Sequence, residues 1–329
     1  MEQRMSRGRL AEIVTQFRQR SILVVGDLMV DEYLMGTAQR ISQEGPVMVI
    51  EVHSDAFKPG GAANVANNLR ALGAKVRIAG AVGDDEMGRL LQEELRTWEI
   101  DTAGILTDPS RPTTRKTRVV AQNQQVLRVD REQTHPLSEA LAEALLLRVE
   151  AALQQADAVL VSDYRKGVIS PEVAARLSAL ATAMGKPLVT NPKPTSAPWL
   201  RGATVLSLNH FEAEELSRTL LPEDPDALNQ YGVAMRERLE VDTLIITQRE
   251  NGLDYWRHNG EHAHVPAHKV EVADSAGAGD STIGAMTLAL VSGADTYEAA
   301  EIACLAGACV VRKHGVATVT PEELLAEVH

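Results

Sequence analysis

Apolar residues fall along this chain in two rhythms. Short unbroken runs rich in β-branched residues alternate with longer stretches in which apolar positions recur every three or four residues. Residues 22–26, 75–83, 158–162, 187–190, 204–208 and 243–247 are runs of the first kind and read as buried strands. Residues 62–72, 84–98, 137–155 and 171–184 are of the second kind and read as helices. In the third of these, Leu141, Leu145, Leu146, Val149 and Leu153 share one helical face, and Pro171 stands just inside the start of the fourth. Further helices are expected between the later strands, and two, 278–292 and 296–313, close the chain. The alternation predicts an α/β fold: a mostly parallel sheet with helices on both faces.

Two segments break the rhythm. Residues 30–52 contain no convincing helix but hold β-prone pieces at 33–35 and 47–50. Residues 113–130 read as two strands, 116–121 and 126–130, joined by a turn at Asn123-Gln124. Both alternate polar with apolar residues more than the core strands do. They predict a small antiparallel β-sheet lid, built from about 30–53 and 113–130 and inserted in a single domain covering 1–329. A lid face carrying Met35, Val47, Val49, Val119 and Val126 would need cover, because so small a sheet is marginal alone. A second copy of the chain would supply it, so a homodimer through the lid is expected. Asn259-Gly260 signals a further hairpin between 253–257 and 263–265.

Aromatic residues are only 3% of the 329, so Ala, Val, Leu and Ile must fill the core. A formal charge of −12 argues against nucleic acid or an anionic membrane as partner. An anionic substrate would then need a local cluster of cations or backbone amides. The longest apolar stretch, about 302–311, is too short to span a bilayer, and residues 1–20 lack the apolar core of a secretory signal. Cys304 and Cys309 lie five apart on different helical faces and read as small buried hydrophobes. A reducing cytoplasm is the expected compartment.

The chemistry is concentrated in a few motifs. Asp274-Ser-Ala-Gly-Ala-Gly-Asp280 precedes an apolar helix. Small residues let backbone amides crowd at a helix N-terminus, and the dipole there favours an anion such as phosphate. Asp280 in the first turn would serve equally as an ordinary cap. Pro59-Gly60-Gly61-Ala-Ala-Asn64 opens another helix. Its glycines allow a ligand to touch the backbone, and Asn64 offers a donor and an acceptor to hydroxyls. Asp27 and Asp31 follow the first strand, where open α/β sheets bind ligands. Asn209-His210-Phe211-Glu212 follows another strand. Asn209 and Glu212 share a face and could either hold water around Mg²⁺ or simply cap the helix. Gly26 is followed by Asp-Leu-Met rather than a dinucleotide fingerprint. His258, His262, His264 and His268 straddle a hairpin, and solvent exposure is expected over a zinc site.

Gly277-Ala-Gly-Asp280 and Gly60-Gly61-Ala-Ala-Asn64, in this order and separation, resemble the signatures of the ribokinase-like (PfkB-type) carbohydrate kinases, and the resemblance covers about 21–319. Residues 40–47, 117–119, 123–125 and 162–167 further resemble the subgroup that phosphorylates D-glycero-β-D-manno-heptose 7-phosphate in the ADP-heptose route to lipopolysaccharide. The resemblance implies a ribokinase-like fold, ATP and Mg²⁺ as cofactors, and Asp280 as catalytic base. Gly277, Ala278 and Gly279 would form its anion hole. It puts Asn209, His210, Phe211, Glu212, Thr247 and Gly252 at the nucleotide, with Asn209 and Glu212 reaching Mg²⁺ through water. Asp27, Asp31, Gly60, Gly61, Asn64 and Asp163 would hold the sugar, and Lys116, Arg118, Arg128, Lys166 and Lys193 are the candidates for its phosphate. Asp274 and the backbone near Ser275 would take a monovalent cation, K⁺. Many relatives carry an adenylyltransferase on the same chain. This one ends at His329, so a stand-alone kinase, or the kinase half with a separate adenylyltransferase, is expected. A kinase for another sugar, sugar phosphate or nucleoside is the alternative; a catalytically inactive sugar-phosphate binder is a weaker one, because Asp280 and the glycine loop are intact. Asn191 and Pro194 stand where the subgroup has Asp and Gly, Leu208 where Pro is common, and Ser275-Ala276 lacks the usual Thr.

Overall fold

In the computed structural model, which describes residues 5–122 and 124–327, the β-branched runs form the middle of one sheet. The first half of the chain runs α1 (Arg7–Gln16), β1 (Ser21–Gly26), β2 (Leu28–Ile41), β3 (Met48–Gly61), α2 (Ala62–Ala71), β4 (Lys75–Gly83), α3 (Glu86–Thr97), β5 (Asp101–Asp108), β6 (Thr114–Ala121), β7 (Gln124–Arg131) and α4 (Glu139–Leu153). The second half runs β8 (Ala158–Ser162), α5 (Pro171–Ala183), β9 (Leu188–Asn191), β10 (Val205–Asn209), α6 (His210–Ser217), α7 (Pro225–Leu239), β11 (Thr243–Thr247), β12 (Leu253–Arg257), β13 (His262–Val265), α8 (Ala278–Val291), α9 (Thr296–Val311) and α10 (Pro321–Ala326). The main sheet has the order β13-β12-β11-β10-β9-β8-β1-β4-β5. Its strands are parallel from β11 to β5, and the β12–β13 hairpin adds an antiparallel edge.

Strand periodicity divides the core. Ile22 and Val24 of β1 point into one layer, with Leu69 of α2, Ile283 of α8 and Leu305 of α9. Leu23 and Val25 point into the other, with Leu145 and Val149 of α4, Leu177 of α5 and Met235 of α7. All six residues of β1 are buried, as a central parallel strand covered on both faces requires. Strand β5 has no continuous apolar run, because Asp101, Gly104 and Asp108 interrupt it, yet it pairs with β4 as the edge of the sheet. Its sequence did not announce it, nor that of α1.

The lid is a four-stranded sheet of order β3-β2-β6-β7. It corrects the expectation of an antiparallel lid, because β2 and β6 pair in parallel. Both strands leave the main sheet in the same direction, β2 directly after β1 and β6 shortly after β5. Strands β3 and β7 run back beside them as antiparallel partners. The first lid segment is also longer than expected, 28–61, since β3 runs straight into α2; the second, 114–131, has the expected length. Of the expected turn, Asn123 lies outside the described residues.

Strand register gives the lid two unlike faces. Asp31, Tyr33, Lys58, Lys116, Arg118, Arg128 and Asp130 share the charged one. Phe57, Leu127 and Val129 lie exposed on the other, beside Leu34 and half-buried Val119. Met35, Val47 and Val126 are exposed and Val49 is half-buried, but Met35 alternates with Leu34 and so falls on the charged face with Asp31 and Tyr33, which corrects the expectation that it shares an apolar face with Val119.

Candidate functional site

Helix α8 starts without a capping side chain. Its N-cap Gly277 is left-handed at φ 80°, a conformation that favours glycine, and it offers no acceptor to the first turn. The amide of Ala278 bonds weakly to the Ser275 carbonyl at 3.3 Å, so the expected anion hole loses that member. Gly279 is exposed, and a Cβ built on it would meet nothing within 4 Å. The amides of Gly279 and Asp280 thus begin the helix beside open space, where the dipole favours an anion.

Asp280, third in the helix, is buried and does not fold back as a cap. Its carboxylate accepts a hydrogen bond from Asn64 Nδ2 at 2.6 Å and another from the Tyr164 hydroxyl at 2.7 Å. Asn64 sits in the first turn of α2 and is itself held: Asn68 Nδ2 donates to its carbonyl at 2.9 Å, and Ser281 Oγ donates to Asn68 Oδ1 at 2.6 Å. The two helices therefore present the carboxylate and its Asn64 partner as one unit. Burial pushes the Asp280 carboxyl above the usual carboxylate range, while Asn64, Tyr164 and the Lys193 ammonium pull it back.

The glycine pair before α2 serves this unit. Gly61 caps α2 at φ 59°. A Cβ on Gly60 would come within 2.4 Å of Asp31 Oδ2, so the glycine makes room for that carboxylate. Asp31 in turn binds Arg118 at 2.5 Å.

Asp27 and Asp163 do a different job from the one expected of them. Asp27 is fully buried and accepts the amides of Tyr164, Lys166 and Val168 at 2.8, 2.9 and 3.1 Å. Asp163 accepts the amides of Arg165 at 2.9 Å and Lys193 at 3.3 Å, and the Ser196 hydroxyl. Together they brace the loops that carry Tyr164, Lys166 and Lys193. Burial and the adjacent Asp163 carboxylate push Asp27 up to about 7.

The candidate cations separate by partner. Arg118 pairs with Asp31, Arg128 with Asp130 at 2.9 Å, Lys166 with Glu132 at 2.7 Å and Lys193 with Glu212 at 2.6 Å. Lys116 has a ring instead: its ammonium lies 5.6 Å from the Tyr164 centroid, and Lys193 lies 5.3 Å from the same centroid. Burial lowers the Lys116 pKa. Tyr164 is the site residue that sequence reasoning missed. It lies within 162–167, one of the segments carrying the subgroup resemblance, and that was the available signal.

On the far side of Lys193, Asn209 and Glu212 form a capping box. Asn209 Oδ1 accepts the Glu212 amide, and Glu212 Oε2 accepts the Asn209 amide, each at 2.9 Å. Both are hard oxygen donors of the kind Mg²⁺ takes, and both are engaged in the cap, so they fit an ion reached through water. Asn191 donates to the Ser207 carbonyl at 3.1 Å. His210 packs against the exposed Phe211 ring, and Arg249 stacks over that ring at 4.7 Å. Thr247 ends β11 opposite Asn209. Gly252 is a packing requirement, since a Cβ there would lie 2.1 Å from the Val265 carbonyl oxygen. Asp274 accepts the amides of Ala276 at 2.9 Å and Gly315 at 3.0 Å.

The hairpin histidines depart from simple exposure. His262 Nε2 and His264 Nδ1 contact the buried carboxylate of Asp254 at 3.0 and 2.9 Å, and His262 stacks on Trp256 at 4.9 Å. His258 pairs with Asp242. Cys309 is buried and Cys304 half-buried, and neither forms a disulfide. No helix among the described residues is long and apolar enough to cross a membrane.

Residues 19–323 match the model of the pfkB family carbohydrate kinases. The chain is 39% identical over 324 residues to the bifunctional protein HldE of Geotalea uraniireducens, covering 98% of this chain and 66% of that one. It is 42% identical over 306 residues to HldE of Trichlorobacter lovleyi, covering 93% and 62%. It thus spans somewhat less than two thirds of the length of these curated relatives. Among solved structures it is similar to Arabidopsis thaliana ribokinase complexed with ribose and ATP (TM-score 0.74, 18% identity, 93% of this chain and 98% of that one). It is also similar to Escherichia coli phosphofructokinase-2 in complex with potassium (TM-score 0.75, 17% identity, 93% and 97%). These two likenesses establish a ribokinase-like fold.

Proposed function

Because the chain belongs to the pfkB family of carbohydrate kinases, we propose that it transfers the γ-phosphoryl group of ATP to the anomeric hydroxyl of D-glycero-β-D-manno-heptose 7-phosphate, giving the 1,7-bisphosphate. Asp280 carries the reading: a buried carboxylate held by Asn64 and Tyr164 beside the open first-turn amides of α8. Support for a heptose phosphate comes from the subgroup-like segments. They contribute Arg118, Tyr164 and Lys166: Tyr164 bonds Asp280, Arg118 pairs with Asp31, for which Gly60 makes room, and the Lys166 amide is braced beside Tyr164 by Asp27.

ATP with Mg²⁺ supplies the phosphoryl group and part of its charge neutralisation. Asp280 accepts the proton of the acceptor hydroxyl as its oxygen attacks phosphorus in line. The amides of Gly279 and Asp280, at the positive end of α8, stabilise charge on the transferred group. Asn209 and Glu212 are closed into the α6 cap and would reach Mg²⁺ only through water, with Glu212 the stronger donor, and Asp274 with the backbone near Ser275 would accommodate K⁺. Lys116 lies between Asp31 and Asp130 in register but makes no ion pair among the described residues, its ammonium facing the Tyr164 ring instead; it is the cation we assign to the sugar's own phosphate.

A coupled ADP-release assay over heptose 7-phosphate, fructose 6-phosphate, ribose and adenosine tests the substrate. Heptose 7-phosphate should lead in kcat/KM by about tenfold or more, the scale of one charge-assisted contact. A lead for any other acceptor overturns the assignment. The exposed Phe57, Leu127 and Val129 favour a homodimer through the lids, which would also shield the reacting centre from water. A monomer by light scattering at micromolar concentration would count against it. The 1,7-bisphosphate would pass to an adenylyltransferase, and the cytoplasm is the compartment in which we place the reaction.

A further inference from the structure

Each oxygen of the buried Asp280 carboxylate accepts one hydrogen bond from the protein. Asn64 Nδ2 donates to Oδ2 and the Tyr164 hydroxyl donates to Oδ1, one from α2 and the other from the loop after β8. The loop is not free to drift. The amide of Tyr164 is bound to Asp27, and the following amides of Arg165, Lys166 and Val168 are bound to Asp163 or Asp27. The ring is flanked by Lys116 from the lid and Lys193 from beyond β9. The lid, helix α8 and the loop beyond β9 therefore all meet this one side chain.

We propose that Tyr164 is a positioning residue for Asp280: its hydroxyl and the Asn64 amide each hold one carboxylate oxygen, fixing the carboxylate plane so that a remaining lone pair faces the acceptor hydroxyl. The proposal deepens the kinase reading and rests on it for its kinetic arm. A carboxylate with two fixed donors cannot rotate without breaking one of them, and each donor favours the ionised form that can take a proton. The charged groups bearing on Asp280 besides the phenol are Lys193, which also favours ionisation, and Asp31, which opposes it. Lys193 is tied to Glu212 and Asp31 to Arg118, so neither replaces a lost hydroxyl.

Tyr164→Phe is the test, because it removes one oxygen and leaves the ring between the two lysines. The first readout needs no substrate. In protein labelled with ¹³C at the aspartate carboxyls, with the Asp280 signal identified by its loss in Asp280→Asn, the midpoint of that signal should move to higher pH in Tyr164→Phe. The second is kinetic. The acid limb of kcat/KM for the sugar should move to higher pH in the variant, and kcat should fall about tenfold or more at neutral pH, while KM for ATP stays within about twofold. An unmoved carboxyl midpoint overturns the proposal whatever the substrate is. A kcat loss with no displacement of the acid limb also overturns it, since a purely structural tyrosine would give that result. If wild-type protein phosphorylates none of the sugars offered, the kinase reading fails, and the carboxyl titration still decides the role of Tyr164.

Discussion

Helices α6 and α8 open on the same plan, a cap residue followed three positions later by an acid, and they use it in opposite ways. In α6 the cap is Asn209 and the acid Glu212, and the two exchange hydrogen bonds until the first turn is satisfied by its own side chains. In α8 the cap is Gly277 and the acid Asp280. With no side chain at the cap, the amides of Gly279 and Asp280 are not satisfied by the helix's own first turn. The left-handed glycine is followed by an acid whose carboxylate is taken by Asn64 and Tyr164 instead of by its own backbone. An acid at this position is by default a structural residue. In the proposed reading, a glycine at the cap and donors from two other elements turn it into a reactive one.

The sharpest way to break this comparison is Asp280→Asn. If Asp280 is the base, turnover in an ADP-release assay should fall by roughly a thousandfold, within the range for losing general-base help, with thermal unfolding little changed. Turnover near wild type would reduce α8 to a second α6. Gly279→Val comes next. Open space around the built Cβ means the fold should tolerate the side chain, but it would stand where a phosphoryl group must approach the amides. About a hundredfold loss in kcat/KM for ATP is expected, the scale of losing one oxyanion donor. An unchanged value would mean that the nucleotide does not use this helix end.

The contrast between the two helix starts was only half legible in the sequence. Strand positions were plain because a parallel strand buried on both faces needs a nearly continuous apolar run, and β1, β8 and β11 have one, with β10 broken only by Ser207. Strand β5 escaped because an edge strand tolerates Asp101 and Asp108. The lid's parallel pairing escaped for another reason: residues 28–61 and 114–131 are far apart in sequence, and no local pattern records which way two distant strands run. At the site, Gly277, Gly279 and Asp280 were readable because glycine at a helix start is a backbone statement. For Asn209 and Glu212 the sequence allowed cap or metal site equally, and the structure shows the cap formed. Tyr164 was hidden because its role depends on a hydrogen bond across 116 residues. Asp27 and Asp163 look like ligand-binding acids at strand ends until the amides they accept are known.

A smaller effect extends the comparison to the second phosphate. If the α8 end receives the transferred group, the sugar's own phosphate lies across Tyr164, toward the lid. Lys116→Glu should raise KM for the phosphorylated sugar by about tenfold, a single charge-assisted contact, and leave KM for ATP unchanged. Arg128→Glu serves as the control, because that guanidinium is exposed and already paired with Asp130. Equal effects from the two variants would return the phosphate pocket to an open question of general charge.

The mildest change examines the other helix start. Asn209→Ala removes the α6 cap, which typically costs about 1 kcal/mol, and the denaturant midpoint should shift accordingly. Asn209→Asp, an equally good cap, should restore it. Turnover should fall less than the effect of Asp280→Asn by about two decades, because Glu212 still accepts the backbone amide of residue 209 and still meets Lys193. A reversed pattern, with stability intact and turnover down by decades, would mean that the Asn209 side chain acts on the nucleotide's metal rather than on its own helix. Both helix starts would then be reactive, and what separates them would be the ion each one serves instead of whether the first turn is closed.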